Sequence, residues 1–387
     1  MSLNLDKSAW ERVRFGDAVK HVNETVRDAS AAGIDRVVGL EHLDPGELQI
    51  VHWGEDPSST TFTKRVRPGQ TLFGKRRAYQ RKAAYAEFDA VTSGDILTFE
   101  AIPERLLPEL LPFLVQSDRF FAHALETSAG SLSPRTNWGD LAQFEFALPP
   151  FDEQRRLADL LWAAEDHRRA LLDERAILAA ERHGLINRAI DAALSIDRRR
   201  LSDVAEIRSG IQKGKKVPGA RVTVPYLRVA NVLMGRIDLK DLRTIEVSEP
   251  DADRYLLHDG DVLLTEGGDI DKLGRGAVWR SPVDPCIHQN HIFVVRAGGE
   301  VLPEWIAMHL ESRHGISYFR TAAKRTSNLA TINKAQVSTL RIGLLPADLQ
   351  RRRVAEVASL DVAIASNESE ARTCRSITSA LLKEVFE

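Results

Sequence analysis

Basic side chains gather in three stretches of this sequence that contain no acidic residue. The stretches are residues 57–86, 207–237 and 312–347. The chain has 387 residues and a formal net charge of −2, so its acidic residues lie outside these stretches. A surface that contacts phosphate groups shows this kind of segregation. One basic cluster alone is ordinarily solvated surface, and the prediction of nucleic-acid binding therefore rests on all three.

Polar residues that can read base edges lie within the third stretch and also between the stretches. Examples are Gln289-Asn290, Thr326-Ser327-Asn328 and the Ser-rich segment 128–133. Asn and Gln can bind adenine through two hydrogen bonds in the major groove, and Arg or Lys can bind guanine. The alternative is ordinary turn chemistry, in which the same residue types bond their own backbone.

No motif in the sequence predicts catalysis or a resident cofactor. Leu148-Pro149-Pro150-Phe151 is close to the N-P-P-F motif of amino-methyltransferases, but Leu148 has no side-chain acceptor for an amine. Residues 269–274 resemble the start of a calcium loop, yet Arg280 stands where a bidentate Glu belongs. His288 and His291 are either a metal pair or, as we favour, structural or DNA-facing histidines. We therefore expect no catalytic residue and no metal site.

The bulk composition is that of a globular protein, with 43% hydrophobic and 28% charged residues. The two cysteines, Cys286 and Cys374, are far apart and predict neither a disulfide framework nor a cysteine metal site. We see no signal peptide at the beginning of the sequence and no apolar stretch long enough to span a membrane. The expected location is the cytoplasm.

Two similar helix starts mark an internal repeat. The first is Leu148–Arg156 (LPPFDEQRR) and the second is Leu344–Arg352 (LLPADLQRR), so that Gln154 aligns with Gln350. A proline-free segment follows each start, which predicts long helices over residues 152–190 and 348–386. Asp152 is the predicted N-cap of the first helix. Its apolar residues recur every seven positions, which is typical of a coiled coil: Leu157, Ala164, Leu171, Leu178 and Leu185.

In the second helix, Asn367 falls where the first helix has Leu171. It either lies near solvent at the edge of the helix or is a buried polar residue that fixes the helix register. The segments before the two helices read as mixed α/β domains, and their motifs recur in the same order. Leu107-Pro108-Glu109, for example, matches Leu302-Pro303-Glu304. We predict a further helix from Leu107 to Leu125.

These features resemble the DNA specificity subunit of Type I restriction–modification enzymes over nearly the whole chain. The two helix starts carry the resemblance together with Ser209–Gly214, Tyr226–Val232 and Gly260–Leu264. Two departures stand out. Leu349 replaces the usual Glu of the second helix start, and Val38-Gly39-Leu40-Glu41-His42 replaces the family's Leu-Arg-x-x-Asn pattern, which the second domain keeps as Leu227-Arg228-Val229-Ala230-Asn231.

The resemblance implies two target recognition domains, 1–147 and 198–345, which read the two parts of an interrupted DNA sequence. A spacer helix with its linker covers 148–197, and a second spacer helix covers 346–387. The helices would pack antiparallel as a coiled coil, related by an internal pseudo-twofold repeat, set the gap and dock two methyltransferase subunits. The subunit itself would be non-catalytic, and S-adenosylmethionine would be bound by its partners. Restriction (motor–nuclease) subunits are further candidate partners.

The fold class we predict is α/β, with mixed α+β recognition domains and two long antiparallel coiled-coil helices. The candidate DNA contacts of the first domain are Lys75, Arg76, Arg77, Tyr79, Arg81 and Ser131; those of the second are Lys213, Lys215, Lys216, Arg275, Gln289, Asn290, Lys324, Arg325 and Ser327. Two alternatives remain open: a coiled-coil interaction scaffold, or the DNA-recognition subunit of a related phage-defence system. The target sequence and its gap length do not follow from the sequence.

Overall fold

The computed structural model describes residues 5–212, 220–269, 273–325 and 330–386, with only the backbone of Arg325. Lys213, Lys215, Lys216 and Ser327 lie outside the described residues. The chain divides into two compact units. Unit 1 comprises Met1–Leu172 and Glu368–Glu387, and unit 2 comprises Asp173–Asn367.

Unit 1 begins with a mixed α/β body and ends in helical segments. Its elements are β1 (Glu11–Arg14), α1 (Phe15–Ala18), β2 (Val19–Val22), β3 (Val37–Val38), β4 (Lys64–Val66), β5 (Thr71–Gly74), β6 (Ala83–Tyr85), β7 (Ala90–Thr92), β8 (Ile96–Ala101), α2 (Leu111–Gln116), α3 (Asp118–Glu126), α4 (Trp138–Leu141), β9 (Glu145–Leu148) and the first part of α5 (Phe151–Ile196). A four-stranded antiparallel sheet has the order β2-β8-β5-β6. A second sheet has the order β3-β7-β4, in which β3 and β7 are parallel.

Unit 2 repeats much of this plan. Its elements are the rest of α5, β10 (Arg198–Arg200), α6 (Leu201–Val204), β11 (Ala205–Ser209), β12 (Arg221–Leu227), β13 (Val232–Leu233), β14 (Arg236–Ile237), β15 (Arg243–Ser248), α7 (Glu249–Arg254), β16 (Val262–Thr265), β17 (Gly267–Gly268), β18 (Gly276–Val278), β19 (Ile287–His288), β20 (Ile292–Ala297), α8 (Pro303–Glu311), α9 (Arg313–Ala322), β21 (Lys324–Arg325), β22 (Ala330–Thr331), α10 (Lys334–Thr339), β23 (Arg341–Gly343) and the first part of α11 (Ala347–Phe386).

The four-stranded sheet and the parallel strand pair of unit 1 both recur in unit 2, but the antiparallel strand added to the parallel pair lies differently: β15 pairs with β12, the first strand of its pair, whereas β4 pairs with β7, the second strand of its pair. The four-stranded sheet of unit 2, β11-β20-β16-β18, is antiparallel, and β12 and β19 pair in parallel as β3 and β7 do. A small sheet, β17-β22-β21, adjoins them. Strands β10 and β23 form an antiparallel pair, as β1 and β9 do in unit 1.

Both long helices exist, and each contributes to both units. α5 has 46 residues and α11 has 40. In unit 1, the Nε2 of His167 in α5 lies 2.9 Å from the Oε1 of Glu370 in α11, and Leu157 packs in the same core as Leu381. This pairing of early α5 residues with late α11 residues makes the two segments antiparallel in this unit.

Unit 2 shows the corresponding antiparallel packing. Arg182 of α5 donates from Nε to Asp361 of α11 at 2.5 Å, and Ile186 and Val357 share one core. The heptad positions Leu157 and Leu171 of α5 are buried, which confirms the predicted seam at those points. Asn367 is half-buried, and its Nδ2 is a buried atom without a hydrogen-bond partner among the described residues, which agrees with the buried-polar alternative.

Two sequence predictions about helix boundaries were wrong. The helix expected from Leu107 to Leu125 is two helices, α2 and α3, because Ser117 has extended backbone (ψ 150°) and its Oγ accepts a hydrogen bond from the Phe120 N–H. An N-cap of this kind starts a new helix inside an apolar run. Asp152, expected as an N-cap, lies within the first turn of α5, where its negative charge stabilises the positive end of the helix dipole.

Among the described residues, no helix combines the length and the apolar character that crossing a membrane requires.

Candidate nucleic-acid interface

Part of the first basic stretch is neutralised by acids from outside it. On β4, Arg65 donates to Asp89 at 2.6 Å, and Arg67, just after β4, donates to Glu24 at 2.8 Å. The hydrogen bond from Arg65 holds the pKa of Asp89 below its usual value. Because both guanidinium groups are already paired, they contribute less positive potential than the sequence indicated.

The segment that follows β5 gathers four of the predicted contacts of unit 1. Arg76 forms a β-bridge with Arg135, and the Arg77 N–H donates to the Pro134 carbonyl at 2.8 Å. These bonds attach the segment Lys75–Arg77 to the loop 129–135, which carries the exposed Ser131. The structure therefore brings Lys75, Arg76, Arg77 and Ser131 to one edge of the unit.

A single carboxylate organises the arginines at this edge. The Asp95 carboxylate forms ion pairs with Arg76 at 3.5 Å and with Arg135 at 3.3 Å, and its backbone carbonyl accepts from the Lys75 N–H at 3.0 Å. Arg76 also donates from Nε to the Ser133 hydroxyl at 2.6 Å. Two guanidinium groups held on one carboxylate keep a net positive charge and a fixed orientation, which suits binding to phosphate or to guanine.

Tyr79 and Arg81, two other predicted contacts, are placed differently. Tyr79 is 56% exposed in a 3-10 turn. Arg81 donates to the Gln116 carbonyl at 3.1 Å and forms an ion pair with Asp118 at 2.7 Å, and its guanidinium lies over the Phe121 ring at 4.6 Å. These contacts use the Arg81 side chain to join its loop to α3, so the structure does not group it with Lys75.

In unit 2 the predicted contacts Gln289 and Asn290 lie between β19 and β20. The Gln289 N–H donates to the Leu227 carbonyl at 3.0 Å, and the Asn290 N–H donates to the Ile211 carbonyl at 2.9 Å. Both backbones are thus fixed, while both side chains are half-exposed. A fixed backbone that carries accessible amides is the arrangement that base reading needs.

Lys324, Arg325 and Arg275 complete the described part of the predicted site in unit 2. Lys324 is exposed on β21 and pairs with Thr331, which pairs in turn with Gly267. Arg325 continues the same strand. The Arg275 carbonyl accepts from the Thr265 N–H at 2.9 Å, next to β17. β17 and the segment 289–291 are joined through Glu266, whose N–H donates to the His291 carbonyl at 2.9 Å.

The edges of the two units are built by the same backbone hydrogen bonds. The Lys75 N–H binds the Asp95 carbonyl at 3.0 Å, as the Glu266 N–H binds that of His291 at 2.9 Å. The Thr136 N–H binds the Lys75 carbonyl at 3.0 Å, as the Ile332 N–H binds that of Glu266 at 2.8 Å. We call residues that share such bonds equivalent, and Lys75 is equivalent to Glu266.

The Leu-Arg-x-x-Asn pattern of the second domain is missing from the first domain, but the hydrogen bond made by its Asn has a counterpart there. The Arg228 N–H donates to the Asn231 Oδ1 at 2.9 Å, and the Gly39 N–H donates to the His42 Nδ1 at 2.9 Å. Each bond closes a 3-10 turn after the parallel strand. Burial lowers the pKa of His42, so its ring favours the neutral form in which Nδ1 can accept. His42 is the functional equivalent of an Asn, which sequence identity alone could not reveal.

His288 and His291 have separate environments. His288 is buried, with Nδ1 3.1 Å from the Tyr255 carbonyl, whereas the ring of His291 is 54% exposed, with Nδ1 2.6 Å from Glu266 Oε2. Within the described ranges, no group of three or more His, Cys, Asp or Glu side chains is placed to hold a metal ion. His288 is thus a structural histidine, and His291 lies at the candidate interface.

Comparison with known proteins gives relatives of one kind. No family model matches the chain. The EcoKI type I restriction enzyme specificity subunit of Escherichia coli K12 is 26% identical over 292 residues, a match that covers 68% of this chain and 62% of that protein. A putative MjaX specificity subunit of Methanocaldococcus jannaschii is 22% identical over 191 residues, covering 49% and 44%. The matches therefore span less than two thirds of the length of these curated relatives.

Solved structures show the same fold. The S subunit of a Type I restriction–modification system from M. genitalium has a TM-score of 0.61 at 12% identity, covering 100% of this chain and 99% of that one. A chain from a structure of a type I R-M system, solved to explain its assembly and conformational transition, has a TM-score of 0.56 at 20% identity, covering 98% and 97%. The chain is similar in sequence to type I restriction enzyme specificity subunits and has the fold of the S subunit.

Proposed function

We propose that this chain is the DNA specificity subunit of a Type I restriction–modification complex and reads a bipartite, interrupted target. Its relationship to specificity subunits supports the general role. One structural observation supports the bipartite reading: each unit presents predicted DNA contacts at an edge built by the same backbone hydrogen bonds. Two similar readers in one chain suit a target with two half-sites.

Within each unit the cationic and the amide side chains have different tasks. Lys75, Arg76, Lys324 and the lysines of 213–216 provide phosphate contacts, which give position and most of the affinity. Gln289 and Asn290 provide base contacts, each good bidentate pair discriminating by about 1–3 kcal/mol. Two half-sites read together reach a specificity that neither reaches alone.

The two long helices serve as the spacer between the half-sites. The support for this part is that α5 and α11 each supply residues to both units and pack antiparallel within each. Each recognition body is also joined to its helical segments by ion pairs whose side chains are buried or half-buried. In unit 1, Arg168 of α5 binds Glu165 at 2.7 Å and also Glu47; in unit 2, Arg182 binds Glu311. Such pairs hold each body in one orientation on the helices.

The methyl transfer belongs to partner subunits. Two methyltransferase subunits that bind S-adenosylmethionine would dock on the helices and modify an adenine selected by this chain, which is itself non-catalytic. Base modification of this kind requires the target base to leave the stack. Restriction subunits would join the same complex, and the complex would act in the cytoplasm. The two readers would be the recognition domains 1–147 and 198–345.

Methylation-sensitive sequencing of the host genome, with and without this gene, tests the proposal. We expect an interrupted methylated motif that disappears when the gene is deleted and returns with the full-length chain. A methylation pattern that does not depend on the gene would contradict the proposal. Gel shifts with random duplex DNA and with RNA then separate a DNA reader from an interaction scaffold, which would bind RNA or no nucleic acid at all.

A further inference from the structure

One acidic residue, Glu266, lies inside the predicted DNA-contact edge of unit 2. Resting on the proposed function, we propose that Glu266 is a specificity-determining residue whose carboxylate accepts a hydrogen bond from the exocyclic amine of a cytosine or an adenine in the major groove. The carboxylate would thereby select a base pair that presents this amine at one position of the half-site read by unit 2.

The backbone of Glu266 is held from both sides. Its N–H donates to the His291 carbonyl at 2.9 Å, and its carbonyl accepts from the Ile332 N–H at 2.8 Å. The first bond connects Glu266 to the segment that contains Gln289 and Asn290. The next residue, Gly267, pairs with Thr331 of β22, which also pairs with Lys324 of β21. Glu266 therefore lies between the amides and the lysine that we expect to face DNA.

The sign of its charge excludes one role. A carboxylate repels phosphate, so Glu266 cannot hold the DNA backbone as its cationic neighbours do. Exocyclic amines are the base groups in the major groove that require an acceptor, and Glu and Asp are the side chains that accept from cytosine N4. In a site of this kind, a carboxylate serves base choice and lowers affinity for every sequence that does not offer the amine.

The side chain is positioned for such a contact. It is 28% exposed, and one oxygen, Oε2, lies 2.6 Å from the Nδ1 of His291, whose own ring is 54% exposed. Because an ionised carboxylate offers about four lone-pair sites, the histidine contact leaves acceptor capacity for a base. The same contact limits the rotamers of Glu266, which gives the orientation that discrimination between bases needs.

The equivalent position in unit 1 has the opposite chemistry. Lys75 replaces Glu266 and Asp95 replaces His291, and Asp95 is occupied by Arg76 and Arg135. This edge offers N–H donors, which suit phosphate or the acceptors N7 and O6 of guanine, and among its described residues it presents no equivalent acceptor for an amine. The two half-sites should therefore differ in the base read from this position.

Selection from a duplex library with the full-length chain tests the inference. Once the wild-type motif is known, Glu266→Ala should reduce the preference at one base pair of one half-site by about 5- to 150-fold. The other positions and the other half-site should be unchanged, and their retention shows that the variant is folded. Glu266→Gln, which keeps an acceptor and adds donors, should favour adenine at that one position, whether the wild type selects cytosine or adenine there.

The matched control is Glu300→Gln, which removes an exposed carboxylate after the opposite end of β20. It should raise affinity for all sequences slightly and alter no base preference. Unchanged preferences in both Glu266 variants, or an effect equal to that of the control, would overturn the inference while leaving the bipartite motif intact. A wild-type chain that selects no DNA motif would overturn the proposed function, and this inference with it.

Discussion

Gln154 in α5 and Gln350 in α11 make the same three hydrogen bonds, each in its own unit. The Oε1 of Gln154 accepts from the Leu107 N–H at 2.8 Å, and its Nε2 donates to the carbonyls of Arg105 and Pro149 at 3.0 and 2.9 Å. The Oε1 of Gln350 accepts from the Leu302 N–H at 2.9 Å, and its Nε2 donates to the carbonyls of Glu300 and Leu345 at 3.0 and 2.8 Å. The amide thus joins each helix start to the chain ahead of α2 or α8.

Replacing either glutamine with alanine should destabilise its own unit. Both side chains are almost fully buried, so truncation leaves a backbone N–H and two carbonyls without a partner. We expect Gln350→Ala to lower the free energy of unfolding of unit 2 by about 2–4 kcal/mol. Urea unfolding followed by fluorescence measures this change. Gln143→Ala, at an exposed position, is the control, and an equally small effect of both changes would contradict the assigned role.

His42→Asn should preserve the turn that His42 closes in unit 1. An Asn Oδ1 can accept from the Gly39 N–H as Asn231 accepts from Arg228 in unit 2. His42→Leu removes the acceptor and should cost about 1–2 kcal/mol of unfolding free energy. Asn231→Leu, the matched change in unit 2, should be destabilising too. If the Asn and Leu variants of His42 were equally destabilised in urea, the hydrogen bond would not be what holds the turn.

Unit 2 should lose stability as the pH falls below about 6.5. Burial lowers the pKa of His309 to about 3 and that of His288 to about 4. In the unfolded chain both rings titrate near their usual value of about 6.5. Between these values the unfolded state binds protons that the folded state does not. Over this interval, each ring should therefore lower the free energy of unfolding by about 1.4 kcal/mol for every unit by which the pH falls.

The pH dependence can be assigned to one ring by substitution. His309→Asn should reduce the slope of unfolding free energy against pH between about pH 7 and pH 5. The exposed His258, changed to Asn, is the control and should leave the slope as in the wild type. Urea titrations at several pH values measure both. A slope that His309→Asn does not alter would show that this ring is not the source of the acid sensitivity.

Changing Gln289 and Asn290 to alanine should relax one half-site only. If their amides read bases, the loss should be confined to specific sequences, and the slope of log K against log salt should remain as in the wild type because no phosphate contact is removed. Binding titrations at several salt concentrations separate the loss of base contacts from the loss of phosphate contacts. Lys324→Met is the comparison, since losing a phosphate contact should make the slope less steep by about 0.9. Weakening by the same factor on all sequences would instead assign both amides to the DNA backbone.

The long helices could be predicted because local signals determine them. Pro149 and Pro150 separate β9 from α5. Ser117 was missed because its cap interrupts a continuous apolar run. The pairing of Arg65 with Asp89 was missed because the fold brings together β4 and the residue just before β7. Glu266 was missed for the same reason, since only the fold places it beside Gln289. The pseudo-twofold relation between the repeats and the individual DNA contacts stay predictions.

Selection of bound sequences from a random duplex library, by the full-length chain and by a variant lacking one heptad in each of α5 and α11, tests the bipartite proposal most directly. The wild type should select two half-sites with a fixed gap. The variant should select the same half-sites with a gap shorter by about three base pairs, because seven helical residues span about 10 Å and one base pair about 3.4 Å. A single uninterrupted site, or a gap that the deletion does not change, would contradict the account.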